Sequence, residues 1–317
     1  MDNGTFCSAF WKHTNLRPGD RIYPCCRFKD SIGTFNGDLI NLLDITEYKS
    51  LREKSLSGEK ISGCEKCYYE ESIGHKSLRQ EFNEKYSADV VSLEYLEIGI
   101  DNLCNLACIG CNSEFSTRWI QKEIEQFGKA SNKYIKVSDM ISIPESINKI
   151  LFLGGEPLLT ERSVNFLKQV PNPSTVEVIF NTNATVIPNQ EMLSLLQKML
   201  KVHFIVSIDG IDEVAQKVRE GTDWSKVLEF INWLYLNQFT FEFNTVLHNK
   251  NWDNIREIAN FVKEHNVNWY VNMLTYPKHL DTRLLTDVEK SKLVASISDL
   301  DIPNKDFISN HLFQTMS

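Results

Sequence analysis

The sequence lacks the features of a secreted or membrane-bound protein. Its first residues, MDNGTFCSAFWKH, do not combine a basic start with an apolar run, so we expect no signal peptide. No stretch approaches the roughly 18 apolar residues that a membrane-spanning helix needs. We therefore expect a cytoplasmic protein that has no membrane partner.

The sequence also lacks a strong charge imbalance and any low-complexity linker. Its 317 residues carry a formal net charge of -8, with 42% hydrophobic and 24% charged residues. Such mild acidity creates no global field that would attract nucleic acid, which argues against an RNA or DNA partner. The length suits one large domain plus a smaller one.

Cysteine, in contrast, is plentiful, with eight residues in the chain. In a reducing compartment we expect cysteines to be metal ligands or redox groups before structural disulfides. The run DNLCNLACIGCN holds Cys104, Cys108 and Cys111. Three thiolates on a 4Fe–4S cluster leave one iron open to a substrate or a cofactor. The alternative is a zinc site, although zinc usually takes four ligands paired as C-x2-C.

The chain changes character near residue 90. Before it, the sequence is irregular and cysteine-rich, and ends in a helix-like run at 77–87. After it, strand-like stretches at 93–100, 147–153, 175–182, 202–208, 239–247 and 267–274 alternate with helix-like ones at about 115–129, 160–169, 189–200, 223–237 and 252–265. This alternation predicts parallel β/α units, in either an open doubly wound sheet or a partial barrel. We expect one more helix near 284–299 and then a polar tail.

Gly154, Gly155 and Glu156 directly follow the predicted strand ILFL. Two glycines at a strand end let a ligand approach the backbone, and the carboxylate can accept hydrogen bonds from an ammonium group. The alternative is an ordinary tight turn that binds no ligand.

Polar residues also mark the ends of later predicted strands. Ser207 and Asp209 are two residues apart and share one face of their strand, and Asn183 follows the strand before it. Such groups suit ribose or substrate hydroxyls, or they cap the next helix. Arg219 is either a solvated surface charge or a clamp for a carboxylate.

The order of these motifs resembles that of radical S-adenosylmethionine (SAM) enzymes. The matching runs are DNLCNLACIGC, LFLGGEPLL, FNTNAT, VSIDG followed by KVREG, and YVNML, over about residues 91–280. The resemblance implies an α/β fold with a partial (β/α)6 barrel. It also implies a 4Fe–4S cluster, SAM, and an electron donor such as flavodoxin or ferredoxin.

The resemblance gives individual residues their expected roles. Cys104, Cys108 and Cys111 would ligate the cluster, and Glu156, with Gly154 and Gly155, would hold the methionyl amine of SAM. Ser207 and Asp209 would lie on the ribose side with Asn183 nearby, and Arg219 would bind the methionyl carboxylate. Gly110 departs from the family, which often has an aromatic residue there, so we expect Ile109 and the Met273-Leu274 strand end to contact adenine instead.

The amino-terminal segment resembles the auxiliary-cluster modules called twitch and SPASM domains, through FCSAFWKH, GDRIYPCC and GCEKCYYEE. This implies a small cysteine-rich domain at 1–90, before the barrel at 91–280 and a carboxyl-terminal helix and tail at 281–317. The expected ligands of a second 4Fe–4S cluster are Cys7, Cys25, Cys64 and Cys67. The alternative is zinc, because Cys64 and Cys67 have zinc-knuckle spacing.

The sequence also predicts the backbone geometry of Asp20 and suggests a role for Cys26. Asp20 takes a position that is usually glycine, and Asp tolerates left-handed backbone geometry. Cys26 could replace Cys25 as a ligand, or it could be a catalytic thiol that returns a hydrogen atom to a substrate radical.

The resemblance therefore implies a radical enzyme that takes a hydrogen atom from an unactivated carbon. We expect a peptide or protein substrate, modified by dehydrogenation, crosslinking or epimerisation. The alternative substrate is a sugar, cyclitol or nucleotide-like metabolite. A non-catalytic iron–sulfur or zinc protein is a third reading, but such a protein needs no SAM-binding residues.

Overall fold

Strands and helices alternate along the chain from residue 93 onward, as the sequence predicts. The computed structural model describes residues 4–72, 74–300, 302 and 304–313. Its strands are β1 (His13–Arg17), β2 (Arg21–Tyr23), β3 (Gly33–Thr34), β4 (Tyr95–Gly99), β5 (Ala107–Cys108), β6 (Lys149–Leu153), β7 (Glu177–Thr182), β8 (Lys201–Ser207), β9 (Arg219–Glu220), β10 (Thr240–Leu247) and β11 (Trp269–Met273).

Half of the helices in the described part of the chain begin at a polar residue whose side chain caps the helix. The helices are α1 (Ala9–Lys12), α2 (Thr46–Ser57), α3 (Glu65–Ser72), α4 (Leu78–Lys85), α5 (Thr117–Phe127), α6 (Glu161–Leu167), α7 (Gln190–Leu196), α8 (Asp212–Val218), α9 (Trp224–Leu236), α10 (Ile255–His265), α11 (Asp287–Ile297) and α12 (Lys305–Leu312). Ser77 and Thr286 form complete capping boxes before α4 and α11. Within the described part of the chain, no helix has the length and apolar character needed to cross a membrane.

Each of the six strands predicted after residue 90 is present as β4, β6, β7, β8, β10 or β11, within two residues of the predicted ends at most positions. Three expectations need correction. The segment before residue 90 is not irregular, because it forms β1, β2, β3 and the helix α2. The tail after α11 also forms a helix, α12, and the helix α8 was not predicted.

The chain folds into two compact units. One unit comprises the described residues within Met1–Asn102, Tyr134–Ile179 and Asn189–Val202. The other comprises those within Leu103–Lys133, Phe180–Pro188 and His203–Ser317. The domain boundaries near residues 90 and 280 stay predictions.

In the first unit, the amino-terminal segment adds strands to the sheet that β4 begins. Strand β1 pairs in parallel with β4, which pairs in parallel with β6 on its other side. Strands β2 and β3 continue the sheet beyond β1 in antiparallel fashion. The parallel part of this sheet therefore includes a strand from outside the predicted barrel region.

A buried polar network joins β1 to β4. Asn15 lies opposite Glu97 in the strand register and donates a 2.6 Å hydrogen bond to its Oε2. The hydroxyl of Tyr95 donates to Glu97 Oε1 at 3.3 Å, and His13 Nε2 lies 3.6 Å from the same oxygen. Burial opposes ionisation of Glu97, but the charge of His13 and these hydrogen bonds outweigh it and hold the pKa of the carboxyl below its usual value.

In the second unit, β8, β10 and β11 pair in parallel. An aromatic cluster forms the core beside them. Its centre is Phe204, whose ring lies 5.5–5.9 Å from the rings of Phe180, Phe230, Trp233 and Phe239. Buried positions alternate regularly with more exposed ones along β8 and β10. Strand pairing in the two units is thus mostly parallel, and the fold is of the α/β class.

Candidate functional site

The loop that carries Cys104, Cys108 and Cys111 is fixed from two directions. Strand β5 pairs with β9 in antiparallel register, which places Cys108 opposite Arg219. Gly221, at the end of this pairing, has a φ of 97°, and a Cβ there would lie 3.1 Å from the carbonyl oxygen of Asn105. Only glycine fits such a position without strain or crowding.

The start of helix α5 holds the same loop. The Thr117 hydroxyl donates to the Cys104 carbonyl and accepts from the Cys104 amide, both at 3.2 Å. Ser116, the N-cap, donates to the Leu106 carbonyl at 2.6 Å. The indole of Trp119 donates to the Cys108 carbonyl at 2.8 Å. Backbone groups of the loop are therefore satisfied by the helix that follows it, and the thiols are left for other roles.

All three thiols of the loop are half-buried. Burial, together with the negative charges of Cys108 and Cys104 in their thiolate forms, raises the pKa of Cys111 to about 12. The Cys111 thiol is thus stable in the protonated form, and a positively charged metal centre favours its thiolate.

Arg219 provides the positive charge next to these cysteines. Its Nη1 donates a 2.7 Å hydrogen bond to Oδ2 of Asp209, and both side chains are nearly buried. Burial disfavours the charge of the guanidinium, but Cys108, Asp209 and Cys104 outweigh it and raise the pKa of Arg219 above its usual value. Its Nε is buried and has no hydrogen-bond partner within the described part of the chain.

Asp209 orients Arg219 and anchors the end of β8. Its second oxygen, Oδ1, accepts from the backbone amide of Val246 at 2.7 Å, and its carbonyl accepts from Asn251 Nδ2 at 2.8 Å. The structure thus shows a positioning role that the sequence did not predict. The contact of Asp209 with a ribose stays a prediction.

Two other predicted residues occupy neighbouring strand ends of this unit. Ser207 Oγ donates to Oδ1 of Asn181 at 3.1 Å. Asn183 lies against the cysteine loop, with its Nδ2 3.9 Å from Cys104 Sγ and 3.0 Å from Asn105 Oδ1. The site in the second unit therefore includes Asn183, Ser207, Asp209 and Arg219 with the cysteine loop, and the sequence missed Asn105.

Leu274 lies against the one position of the loop that departs from the family pattern. A Cβ on Gly110 would be only 3.3 Å from Leu274 Cδ2. Leu274 is held by its amide, which donates to the Leu247 carbonyl at 3.0 Å, and Ile109 is held by a 2.9 Å bond to the Val218 carbonyl. A larger residue at position 110 and the leucine at 274 therefore compete for the same space.

The Gly154-Gly155-Glu156 turn belongs to the first unit. Gly154 has a φ of 110°, and a Cβ there would lie 2.7 Å from the Asp101 carbonyl oxygen. That same carbonyl accepts from the Gly155 amide at 3.0 Å. Glu156 is 1% exposed, and its Oε1 accepts from the Leu158 amide at 3.1 Å. The turn is thus built on the backbone of Asp101, a residue that the sequence did not single out.

The first unit also brings together the four cysteines predicted for a second cluster. Cys7, Cys25, Cys64 and Cys67 line one pocket, whose walls include Phe10, Phe82 and Arg79. Burial raises the pKa of the Cys7, Cys25 and Cys64 thiols, with added repulsion among the cysteines themselves, and the pKa of Cys64 reaches about 12. Cys26 is exposed and is not part of the pocket lining.

Asp20 confirms one expectation about this segment. Its φ is 57°, in the left-handed region, where glycine is usual. Its carboxylate accepts from the amide of Ser138 at 2.8 Å, which compensates for the unfavourable backbone.

No group of three or more His, Cys, Asp or Glu side chains among the described residues is placed to hold a single metal ion. A 4Fe–4S cluster takes one thiolate at each corner rather than several on one ion. This finding therefore concerns mononuclear sites.

A comparison with protein-family models shows the family of this chain. The Radical SAM superfamily matches residues 100–262, which is just over half of the 317 residues. The chain belongs to the radical SAM superfamily. Membership implies an enzyme that uses a 4Fe–4S cluster and SAM, and the parallel α/β strand pairing is consistent with the partial barrel of that superfamily.

The relatives of this chain include two GTP 3',8-cyclases. That of Aliarcobacter butzleri is 31% identical over 145 residues, covering 44% of this chain and 42% of the relative. That of Sulfurovum sp. is 28% identical over 143 residues, with the same coverages. The match thus spans less than half the length of these relatives. Among solved structures, anSMEcpe with bound AdoMet has a TM-score of 0.50 at 16% identity, over 67% of this chain and 64% of that one, and shows a shared fold.

The chemistry of the described residues fits both a 4Fe–4S cluster and SAM. The three thiols of the loop are a suitable donor set for an iron–sulfur cluster. The buried Nε of Arg219, which has no partner among the described residues, can donate to a carboxylate such as that of SAM.

We predict that Gly154→Ala destabilises the protein more than Gly128→Ala. Both glycines have positive φ, at 110° and 73°, so both alanines carry left-handed strain of roughly 1–2 kcal/mol. Only Gly154 adds a clash with backbone, at 2.7 Å from Asp101, whereas Gly128 faces open space. Urea unfolding of both variants measures the difference, and equal losses would show that the turn at Gly154 relaxes freely.

Proposed function

We propose that this protein is a radical SAM enzyme that cleaves SAM reductively and takes a hydrogen atom from an organic substrate. The observation that carries the proposal is the pairing of Cys108 with Arg219 across β5 and β9. It places the cysteine loop beside a buried arginine that still has a donor to offer. An electron carrier or a structural zinc protein has no use for such an arginine.

The residues then have the following roles. Cys104, Cys108 and Cys111 would ligate three irons, Arg219 the SAM carboxylate, and Glu156 with Gly154 and Gly155 the amine. Ser207 and Asp209 would serve the ribose side, with Asn183 nearby, and Leu274 the adenine. When bound, the cluster and SAM supply a 5'-deoxyadenosyl radical. Asp209 accepts a 2.7 Å hydrogen bond from Nη1 of Arg219 and so holds the guanidinium that would orient SAM.

We also propose a second 4Fe–4S cluster, held by Cys7, Cys25, Cys64 and Cys67 in a twitch-like segment. Support comes from the pocket that these four cysteines share and from its apolar walls. Cys25 is favoured over Cys26 as the ligand, because Cys25 lines the pocket and its thiol is influenced by Cys7 and Cys64. Cys26 remains available as a catalytic thiol. A cluster with four protein ligands would pass electrons and not bind substrate directly.

The proposed substrate is a peptide or protein, in keeping with the resemblance of the amino-terminal segment to modules common in peptide-modifying radical enzymes. A nucleotide-like metabolite is the second candidate. It is favoured by the names of the relatives, which are GTP 3',8-cyclases.

We predict that replacing Cys104, Cys108 and Cys111 together by Ala abolishes cleavage of SAM. The protein is reconstituted anaerobically with iron and sulfide, and deoxyadenosine is measured after addition of dithionite. Cys7→Ala and Cys64→Ala serve as controls, because they remove thiols of the other pocket and spare the first cluster. Deoxyadenosine formation by the triple variant would show that the ligand assignment is wrong.

We further predict that Cys25→Ser and Cys26→Ser differ in iron content. The wild-type protein should bind about eight irons in two clusters, and Cys25→Ser about four, because Cys25 lines the pocket and Cys26 does not. Cys26→Ser, its neighbour and matched control, should keep both clusters. The reverse result would make Cys26 the ligand, and about four irons plus one zinc in the wild-type protein would disprove the second cluster.

Addition of GTP to the deoxyadenosine assay distinguishes the peptide substrate from the nucleotide-like one. If the substrate is a peptide, GTP should leave the rate of deoxyadenosine formation unchanged. A several-fold increase with GTP and none with ATP, at equal concentrations, would overturn the peptide assignment in favour of a nucleotide-like substrate.

A further inference from the structure

The turn after β7 is built around one asparagine side chain that faces a cysteine. Asn183 is only 6% exposed, and its amide nitrogen lies 3.9 Å from Cys104 Sγ, within hydrogen-bond range for sulfur. The Leu106 amide also points to this sulfur, at 3.5 Å. Cys104 is one of the three proposed ligands of the radical SAM cluster.

The orientation of the Asn183 amide is fixed by an unambiguous donor. Its Oδ1 accepts from the backbone amide of Thr185 at 3.0 Å and from the Thr185 hydroxyl at 2.6 Å. A backbone N–H can only donate, so the oxygen must face Thr185 and the NH2 group must face Cys104. The second hydrogen of that NH2 group goes to Asn105 Oδ1 at 3.0 Å.

Asn105 closes the arrangement from the cysteine loop. Its own Nδ2 donates to the Thr185 hydroxyl at 2.8 Å. Asn105, Asn183 and Thr185 therefore form a closed ring of hydrogen bonds between the cysteine loop and the turn. Such a ring holds the Asn183 amide in one orientation.

The backbone of the turn is strained at Ala184, the residue between the two that fix the amide. Ala184, between Asn183 and Thr185, has a φ of 58° and is 0% exposed. A non-glycine residue in left-handed geometry costs roughly 1–2 kcal/mol. Its amide is satisfied by the Thr182 hydroxyl at 3.0 Å. Strain of this kind persists where the surrounding contacts over-determine the geometry, which is common at functional sites.

We propose that Asn183 is a positioning residue that donates a hydrogen bond to the Cys104 sulfur of the radical SAM cluster and thereby raises the reduction potential of that cluster. An N–H near a ligand sulfur stabilises the additional negative charge of the reduced state. The inference rests on the proposed function, because it needs a cluster on Cys104. It assigns the asparagine to the cluster, whereas the sequence assigned it to SAM.

The test is the midpoint potential of the cluster in the absence of SAM. It is measured by a dye-mediated titration followed by the EPR signal of the reduced cluster, using the signal that changes when SAM is added. Asn183→Ala removes the donor, and Asn183→Asp keeps the shape but replaces the donor with a charge. Both should shift the potential to more negative values, and the aspartate should shift it further.

Thr185→Val is the matched control. It loosens the ring by removing the Thr185 hydroxyl but leaves the backbone amide that orients Asn183. Its potential should equal that of the wild-type protein even if its stability is lower. A shift equal to that of Asn183→Ala would assign the effect to loosening of the turn and overturn the proposal.

The affinity for SAM separates the two roles of Asn183. If both Asn183 variants keep the wild-type potential but bind SAM more weakly, Asn183 serves the nucleoside and the proposal fails. If Asn183→Ala does not hold a cluster, the nearly isosteric Asn183→Asp decides. A wild-type protein that assembles no cluster on Cys104 would instead disprove the proposed function itself.

Discussion

The buried ion pair between Asp209 and Arg219 is the interaction on which the cysteine site depends. Taking two charges out of water is costly, and the cost is repaid only when the remaining polar atoms are satisfied. Asp209 meets this condition, because its second oxygen accepts from the Val246 amide, whereas the buried Nε of Arg219 has no partner among the described residues. The same residue ties the ends of β8 and β10 together, so the position of the arginine follows from the packing of the parallel strands.

The ion pair also determines what surrounds the cysteines. Arg219 begins β9, and β9 pairs with the strand that holds Cys108. Three thiolates close together repel one another, and burial adds to the penalty, as the raised pKa of Cys111 shows. An adjacent guanidinium offsets part of this repulsion. Metal loading must still displace protons from the thiols, so the affinity for a cluster should increase with pH.

The sequence predicts most of the second half of the fold and little of the first. Strands such as β8 and β10 are apolar and long enough for their pattern to be visible, and their ends fell close to prediction. Strand β1, with the sequence HTNLR, carries a polar face because Asn15 and His13 bind Glu97. Its buried polar side chains look exposed in the sequence, since their partner lies 82 residues away.

Candidate site residues could be named from the sequence where a residue type has few chemical uses and not where geometry decides. The cysteines could be named because thiols suit iron, whereas Arg219 was singled out only by the resemblance to the family, since an arginine in a connecting segment is usually a surface charge. The roles of Asp209 and Asn183 could not be separated by sequence, because both are strand-end polar residues that suit a ribose or a helix cap equally. Asp101 supports Gly155 through its backbone carbonyl, which any residue possesses, so its side chain gave no signal.

One aromatic side chain, Phe82, packs against both the pocket of the amino-terminal cysteines and the sheet. Phe82 lines their pocket, and its ring also packs 4.9 Å from His13 of β1 and 6.1 Å from Tyr95 of β4. His13 and Tyr95 in turn contact Glu97. A metal centre that orders the pocket would therefore stabilise the β1–β4 pairing as well. This gives the small segment a reason to pair with β4: the pocket of the proposed second cluster and the sheet share one set of contacts, so loss of either would weaken the other.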